Sequence, residues 1–352
     1  MRRFHVFLVL ASRLVDAACS SRSMSDHAED ADSSVKESGS AGSTAVGTSC
    51  QASGKGLNDC GAASENCCTS LEVPGGTYYR TYTNSGAGAI GLAEPATVSG
   101  FHLDKYLVTV GRFRQFVAAW NGGAGYTPAP GSGRHLHLNG GSGLNATAGG
   151  YEPGWLDADN VNISPTDTNL RCDSSYATWT SSPTTQESLP INCVNWYEAS
   201  AFCIWDGGFL PSEAEWEFAA AGGSKQLEYP WGSTDPGTSN RYAIYGDGTA
   251  CYYPSGAECT GQVNIAPVGT ATLGAGLWGQ LDLAGEVWEW NIDWFNTDTA
   301  CVNCANLTAA SFRIIRGGEF LYDASYLVPS YRSGDAPSFR ANDVGIRCAR
   351  TP

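Results

Sequence analysis

A loop-rich globular fold, with short strands and short helices around an aromatic core, is what this sequence predicts. Three observations carry the expectation. Gly occurs 43 times in 352 residues, enough to interrupt regular elements repeatedly. Trp occurs 11 times and only 16% of residues are charged, so the apolar interior is built largely from aromatic rings. Where apolar periodicity does appear, it lasts only a few residues. The length allows two domains or one domain with large loops. A net charge of -15 argues against nucleic acid and anionic membrane surfaces as partners, because both select for Lys and Arg. Calcium or a cationic partner suits such a chain better.

Taken in order, residues 1–18 begin with Arg2 and Arg3, continue through an apolar run from Val6 to Ala11, and end on Ala17 and Ala18 before Cys19. Although Arg13 and Asp16 interrupt it, the pattern is that of a secretory signal, with Cys19 as the candidate lipid-bearing residue. No other run approaches the ~18 apolar residues of a membrane-spanning helix. Residues 19–49 are mostly Ser, Ala, Asp and Glu, too polar to bury a core, and are expected to form a disordered tether. Residues 50–70 form a cysteine-rich linker holding Cys50, Cys60, Cys67 and Cys68, and residues 71–352 form the main domain. Setting Cys19 aside leaves twelve of the 13 cysteines, an even number that suits disulfides in an oxidising compartment better than zinc. Cys172 with Cys193, Cys251 with Cys259 and Cys301 with Cys304 are local candidates, and Cys203 with Cys348 is the long-range one. Three pairings stay open among the first four cysteines.

Within the main domain, the turn at Val73–Gly76 leads into a strand. Phe101 to Leu107 alternates apolar and polar residues as another strand does. Thr109 is placed to cap a helix whose Phe113, Phe116, Val117 and Trp120 share one face. Residues 121–188 are rich in Gly, Ser, Thr, Asn and Pro and are expected to be long surface loops. Asn195 with Glu198, and Ser212 with Glu215, have capping-box spacing at the starts of two short helices. His135 and His137 in a Gly-rich loop offer two imidazoles without an evident third metal ligand, so an exposed loop is expected there. The sequons at Asn145, Asn162 and Asn306 are expected to be ordinary loop residues rather than glycosylated ones.

The stretch from Gly276 to Trp290 concentrates tryptophans and acids. Asp282, Glu286 and Glu289 sit around a glycine turn, a setting that suits a hard cation such as calcium. The same spacing also fits a solvated acidic face backed by the tryptophans.

Several segments together resemble the formylglycine-generating enzyme, or sulfatase-modifying factor, family. They are Pro190–Trp196, Leu210–Glu217, Tyr229–Gly232, Gly285–Trp290, Arg316–Gly318 and Gly345–Cys348, in the family's order. The resemblance implies an α+β domain related to C-type lectins with little regular secondary structure. It also implies an oxidase that converts a sulfatase cysteine to formylglycine through copper held by two thiolates, since a soft cuprous ion selects such ligands. The two positions matching those cysteines are Tyr322 and Leu327, so copper is not expected and no catalytic residue is assigned. The family's calcium turn would be formed by the Asp282 side chain, the Gly285 and Val287 carbonyls and the Glu289 side chain, with Asp282 where Asn is usual. A second calcium site would fall near Asn240 and residues 260–262, with its acidic ligand replaced. The Cys203–Cys348 disulfide also matches the family.

Together these readings describe an extracytoplasmic module, secreted or lipid-anchored at the cell envelope, that binds a protein, peptide or glycan. Its recognition surface would be formed by the loops of residues 121–188 and a former active-site pocket of Glu319, Tyr322, Asp323, Tyr326, Leu327 and Tyr331. The rival class is an enzyme, either a formylglycine-generating oxidoreductase or another activity in the altered pocket.

Overall fold

The computed structural model describes residues 47–254 and 256–352. The expected signal, its Cys19 and most of the tether lie outside the described residues. The first strands are β1 (Ser70–Val73), β2 (Gly76–Thr83), β3 (Ile90–Val98) and β4 (Phe101–Asp104), followed by helix α1 (Val110–Trp120). A long segment holding only 3-10 turns and the two-residue strand β5 (Asn145–Ala146) leads to α2 (Trp196–Trp205) and α3 (Glu213–Ala220). The remaining strands are β6 (Ala250–Cys251), β7 (Ala257–Glu258), β8 (Trp288–Trp294), β9 (Cys301–Val302), β10 (Cys304–Ala305), β11 (Arg313–Arg316), β12 (Ser333–Asp335), β13 (Val344–Gly345) and β14 (Ala349–Arg350). Short, mixed elements of this kind make an α+β fold, as expected.

Five small sheets order the described residues. The central, four-stranded one runs β12-β11-β8-β13, two three-stranded ones run β1-β4-β14 and β2-β3-β9, and β10-β5 and β6-β7 are two-stranded pairs. The predicted strand at residues 101–107 stops at Asp104 because its later backbone groups bond to separate segments. Lys105 N–H donates to Thr69 O and Val108 N–H to Ile346 O.

All three helices begin where capping residues predict. Thr109 accepts from Arg112 N, and Asn195 and Ser212 each complete a capping box with Glu198 and Glu215. Helix α1 buries Phe113, Phe116 and Trp120 against Phe202 of α2 and against Trp155, Leu170 and Trp179. Every residue of α3 is buried, and its three glutamates each meet a basic side chain. Glu213 faces Arg80, Arg316 and Arg332, Glu215 faces His135, and Glu217 faces Arg316.

Two expectations are corrected here. The segment of residues 121–188 is not simply surface loop. It sends Leu138, Leu144, Trp155, Ile163, Leu170 and Trp179 into the interior, so its two tryptophans are core anchors rather than exposed recognition groups. The cysteine-rich stretch is no free linker either. Cys50 pairs with Cys68 and Cys60 with Cys67, and these disulfides share an apolar cluster with Tyr106, Leu107, Val268, Leu281 and Val287. Buried Arg112 ties the stretch down, donating to Ser49 Oγ, Cys67 O and Asp206 Oδ2.

The other four disulfides are Cys172–Cys193, Cys203–Cys348, Cys251–Cys259 and Cys301–Cys304, the pairings expected. Six disulfides point to an oxidising compartment. Among the described residues, no helix is long and apolar enough to cross a membrane.

Candidate functional site

The acidic turn lies between the central sheet and the segment of residues 265–269. Asp282 and Glu286 both adopt the left-handed backbone region, with φ of 59° and 68°, which folds the chain tightly enough to bring both carboxylates inward. Asp282 Oδ2 accepts from Gly269 N at 2.7 Å, and Glu286 Oε1 accepts from Ala266 N at 2.7 Å. Glu289, on β8, receives Arg347 through both oxygens at 2.9 Å and Trp216 Nε1 at 2.8 Å. All three acids are buried, at 5%, 1% and 0% exposure. The solvated-face reading is therefore wrong, because the Gly turn rolls the acids beneath the surface.

Burial pushes the Asp282 carboxyl up to about 6, with Arg347 and the Gly269 N–H opposing the rise. It pushes Glu286 well above the usual carboxylate range, and neighbouring Asp282 adds to the shift. Glu286 Oε2 is buried without a hydrogen-bond partner. An excess of buried acid over the single guanidinium of Arg347 is the setting that a hard cation would neutralise. Among the described residues, no three His, Cys, Asp or Glu side chains gather closely enough to hold a metal. A cation at this turn would therefore depend on backbone carbonyls for several ligands, as the expected set with Gly285 and Val287 does.

The segment expected to form the binding pocket follows the Arg316-Gly317-Gly318 turn. A Cβ on Gly318 would lie 2.8 Å from Tyr326 O, and its φ is 78°, so only glycine lets the following loop fold back. Arg316 fixes the far end of that loop by donating to Pro329 O and Tyr331 O. Asp323 caps the short turn Ala324–Tyr326, accepting from Ser325 N. The result is a ladder of half-buried rings. Tyr322 stacks on Tyr326 at 4.7 Å, Tyr326 meets Tyr331 at 4.7 Å, and Trp288 lies behind both Tyr326 and Tyr331 at 6.3 and 5.9 Å. Burial and the adjoining Tyr326 push the Tyr331 phenol up to about 12, so it stays protonated and can donate.

Of the six expected pocket residues, the structure gathers Tyr322, Tyr326 and Tyr331, with Asp323 exposed beside them. Leu327 turns away. It is 1% exposed and packs with Ala243, Tyr245 and Ala284, as a hydrocarbon chain should. Glu319 is also interior, accepting from Leu321 N. The sequence reading missed Trp288 as the floor of this site, although its place in the Glu286–Trp290 stretch marked it. Near the second expected calcium position, Asn240 donates to Tyr252 O, and its Oδ1 is buried without a partner.

Residues 58–352 match the model of the sulfatase-modifying factor enzyme 1-like domain. The chain belongs to this family. It is 29% identical over 311 residues to the formylglycine-generating enzyme of Thermomonospora curvata, covering 80% of this chain and 93% of that protein. The Streptomyces coelicolor formylglycine-generating enzyme is 31% identical over 262 residues, covering 71% and 77%. The inactive C-alpha-formylglycine-generating enzyme 2 of Mus musculus is 32% identical over 168 residues, 46% of this chain and 49% of that one. Among solved structures, PvdO from Pseudomonas aeruginosa aligns with a TM-score of 0.48 at 18% identity, covering 85% of this chain and 97% of that one. In this member of the sulfatase-modifying factor family, a tyrosine ladder occupies the segment after the Arg-Gly-Gly turn, and all twelve described cysteines are in disulfides.

Proposed function

We propose that this member of the sulfatase-modifying factor family is a non-catalytic extracytoplasmic binding module at the cell envelope. One observation carries the reading: where the resemblance places a copper-binding thiolate pair, this chain has a half-buried tyrosine and a buried leucine. A phenol and a hydrocarbon do not coordinate a soft ion at neutral pH. The tyrosine ladder with Asp323 offers instead flat apolar faces, hydroxyl groups and a carboxylate, which suit a protein, peptide or glycan ligand. The acidic turn would hold a structural calcium ion through Asp282, Gly285, Val287 and Glu289, supplying fold stability rather than chemistry.

The test is purified protein with cuprous copper, oxygen and a peptide carrying Cys-x-Pro-x-Arg. No tight copper binding and no formylglycine are expected. Copper- and oxygen-dependent formylglycine would overturn the assignment. It would favour the second reading, a formylglycine-generating oxidoreductase, which draws on similarity to the Thermomonospora curvata enzyme along most of that enzyme's length. Ligand binding is tested separately on peptide and glycan arrays, where Tyr326→Ala should reduce any signal of the parent protein.

A further inference from the structure

His135 and His137 lie outside the site described above, in the segment of residues 131–155. The sequence led us to expect an exposed loop here, and the structure contradicts it. His135 is 0% exposed, and the acids it meets, Glu152 and Glu215, are each 2% exposed. Nδ1 of His135 lies 3.0 Å from Glu152 Oε2, and Nε2 lies 3.1 Å from Glu215 Oε2. Glu152 Oε1 also accepts from the backbone N–H groups of His135 and Leu144. Glu215 Oε2 also accepts from Ser212 N and Oγ at the start of α3.

A neutral imidazole has a single N–H. Set between two carboxylates, it would turn one nitrogen lone pair against an oxygen, in a place that water does not reach. Only the imidazolium donates from both nitrogens. We propose that Glu152, His135 and Glu215 form a charge clamp, with His135 held as an imidazolium that straps residues 131–155 onto the start of α3. The groups around the ring agree with this. Burial alone would lower His135, but the Glu215 and Glu152 carboxylates outweigh it and raise the group to about 10. His137, with its ring centre 6.2 Å away, is lowered by burial and by the charge on His135, although the glutamates oppose this. Phe209 covers both rings and brings no charge.

The strap has a structural task. It carries Leu138 and Leu144 into a cluster with Ala305. At Gly133 it passes so close to Ile204 that a Cβ would lie 2.6 Å from Ile204 Cγ1. Its outer side displays Leu136 and Tyr151, at 54% and 52% exposure. A His group raised above its ordinary value of 6.5 contributes stability that is fully present below that value and lost as pH rises through the folded one. The clamp is therefore closed at neutral and mildly acidic pH and opens in alkali.

The experiment uses the folded chain with 15N-labelled histidine. At about pH 8, NMR should show both ring nitrogens of His135 protonated and His137 neutral. Limited proteolysis within residues 131–155 should be slow at neutral pH and accelerate as pH approaches the folded value. His135→Gln should raise cleavage there at neutral pH by about tenfold or more, because the strap opens locally. A His135 with one protonated nitrogen at that pH, or a titration near 6.5, would overturn the clamp. Unchanged cleavage in folded His135→Gln would overturn the strap. If that variant does not fold, Glu152→Gln supplies the same comparison, and the NMR result stands on the parent protein alone.

Discussion

Glu213 is one carboxylate shared among three arginines, Arg80 at 2.7 Å, Arg332 at 2.6 Å and Arg316 at 3.0 Å. Burial alone would raise it, but Arg332, Arg316 and Arg80 hold it down to about 2. A depressed acid contributes stability that is present above its unfolded value and lost as pH falls through the folded one. Glu213 should therefore help the fold resist acid until the pH falls from its ordinary 4.5 toward about 2. Glu213→Gln should cost about 3–5 kcal/mol near neutrality, because it leaves buried guanidinium charge uncompensated. Denaturant titrations at neutral and acid pH check this, and the difference between variant and parent should shrink in acid. The acidic turn, as a proposed calcium site, makes a second residue-scale prediction. Added calcium should raise the melting temperature, since a ligand bound only to the native state stabilises it by about 2.7 kcal/mol at a hundredfold excess over Kd. Glu289→Ala should remove that response, and a melting curve indifferent to both calcium and chelator would sink the proposal. The sequence placed both sets of acids on short elements. It did not show that Glu213 would meet arginines at positions 80, 316 and 332, because those contacts depend on how distant segments cross.

The three helices are the elements most legible from sequence, because their signals are local. Each cap is three residues from its partner, and the apolar positions of α1 repeat at helical spacing. Asn195→Ala should cost about 1 kcal/mol by removing the acceptor for Glu198 N, and urea titration measures it directly. The same side chain also donates to Asn162 O at 3.0 Å, and losing that bond adds to the cost. The segment of residues 121–188 was read less well. Its composition signals loop, and it does lack long regular elements. Yet loop composition says nothing about which aromatic residues turn inward. Trp155, with its indole N–H donating to Asn160 Oδ1, and Trp179, donating to Asp167 Oδ1, satisfy their polar atoms locally and so can enter the core. His135 escaped for the same reason, since its partners lie 17 and 80 residues along the chain.

For the whole molecule, the disulfides make the broadest prediction. The folded domain should expose no alkylatable thiol before reduction and twelve after it, as six bonded pairs require. Two or more free thiols in native protein, counted by mass spectrometry, would contradict that pairing. Cys203–Cys348 closes the longest loop, a separation of 145 residues. Replacing both with Ser should cost on the order of 4–5 kcal/mol if chain entropy dominates, read as a fall in denaturation midpoint. By itself, the sequence determined the family, the loop-rich α+β class and the helix starts, and it offered candidate pairs for the eight cysteines outside the cysteine-rich stretch without fixing their connectivity. These rest on ordered motifs, on capping spacing and on the proximity of cysteines along the chain, all of which are properties of the linear sequence. Tertiary structure alone decided which polar groups are buried together. It turned the Asp282–Glu289 acids inward, drew the cysteine-rich stretch onto the core and sent Leu327 away from the tyrosine ladder into a cluster with Ala243, Tyr245 and Ala284. It also closed two carboxylates around His135. Each outcome depends on long-range contacts that set local dielectric and charge, and no spacing along the sequence encodes those.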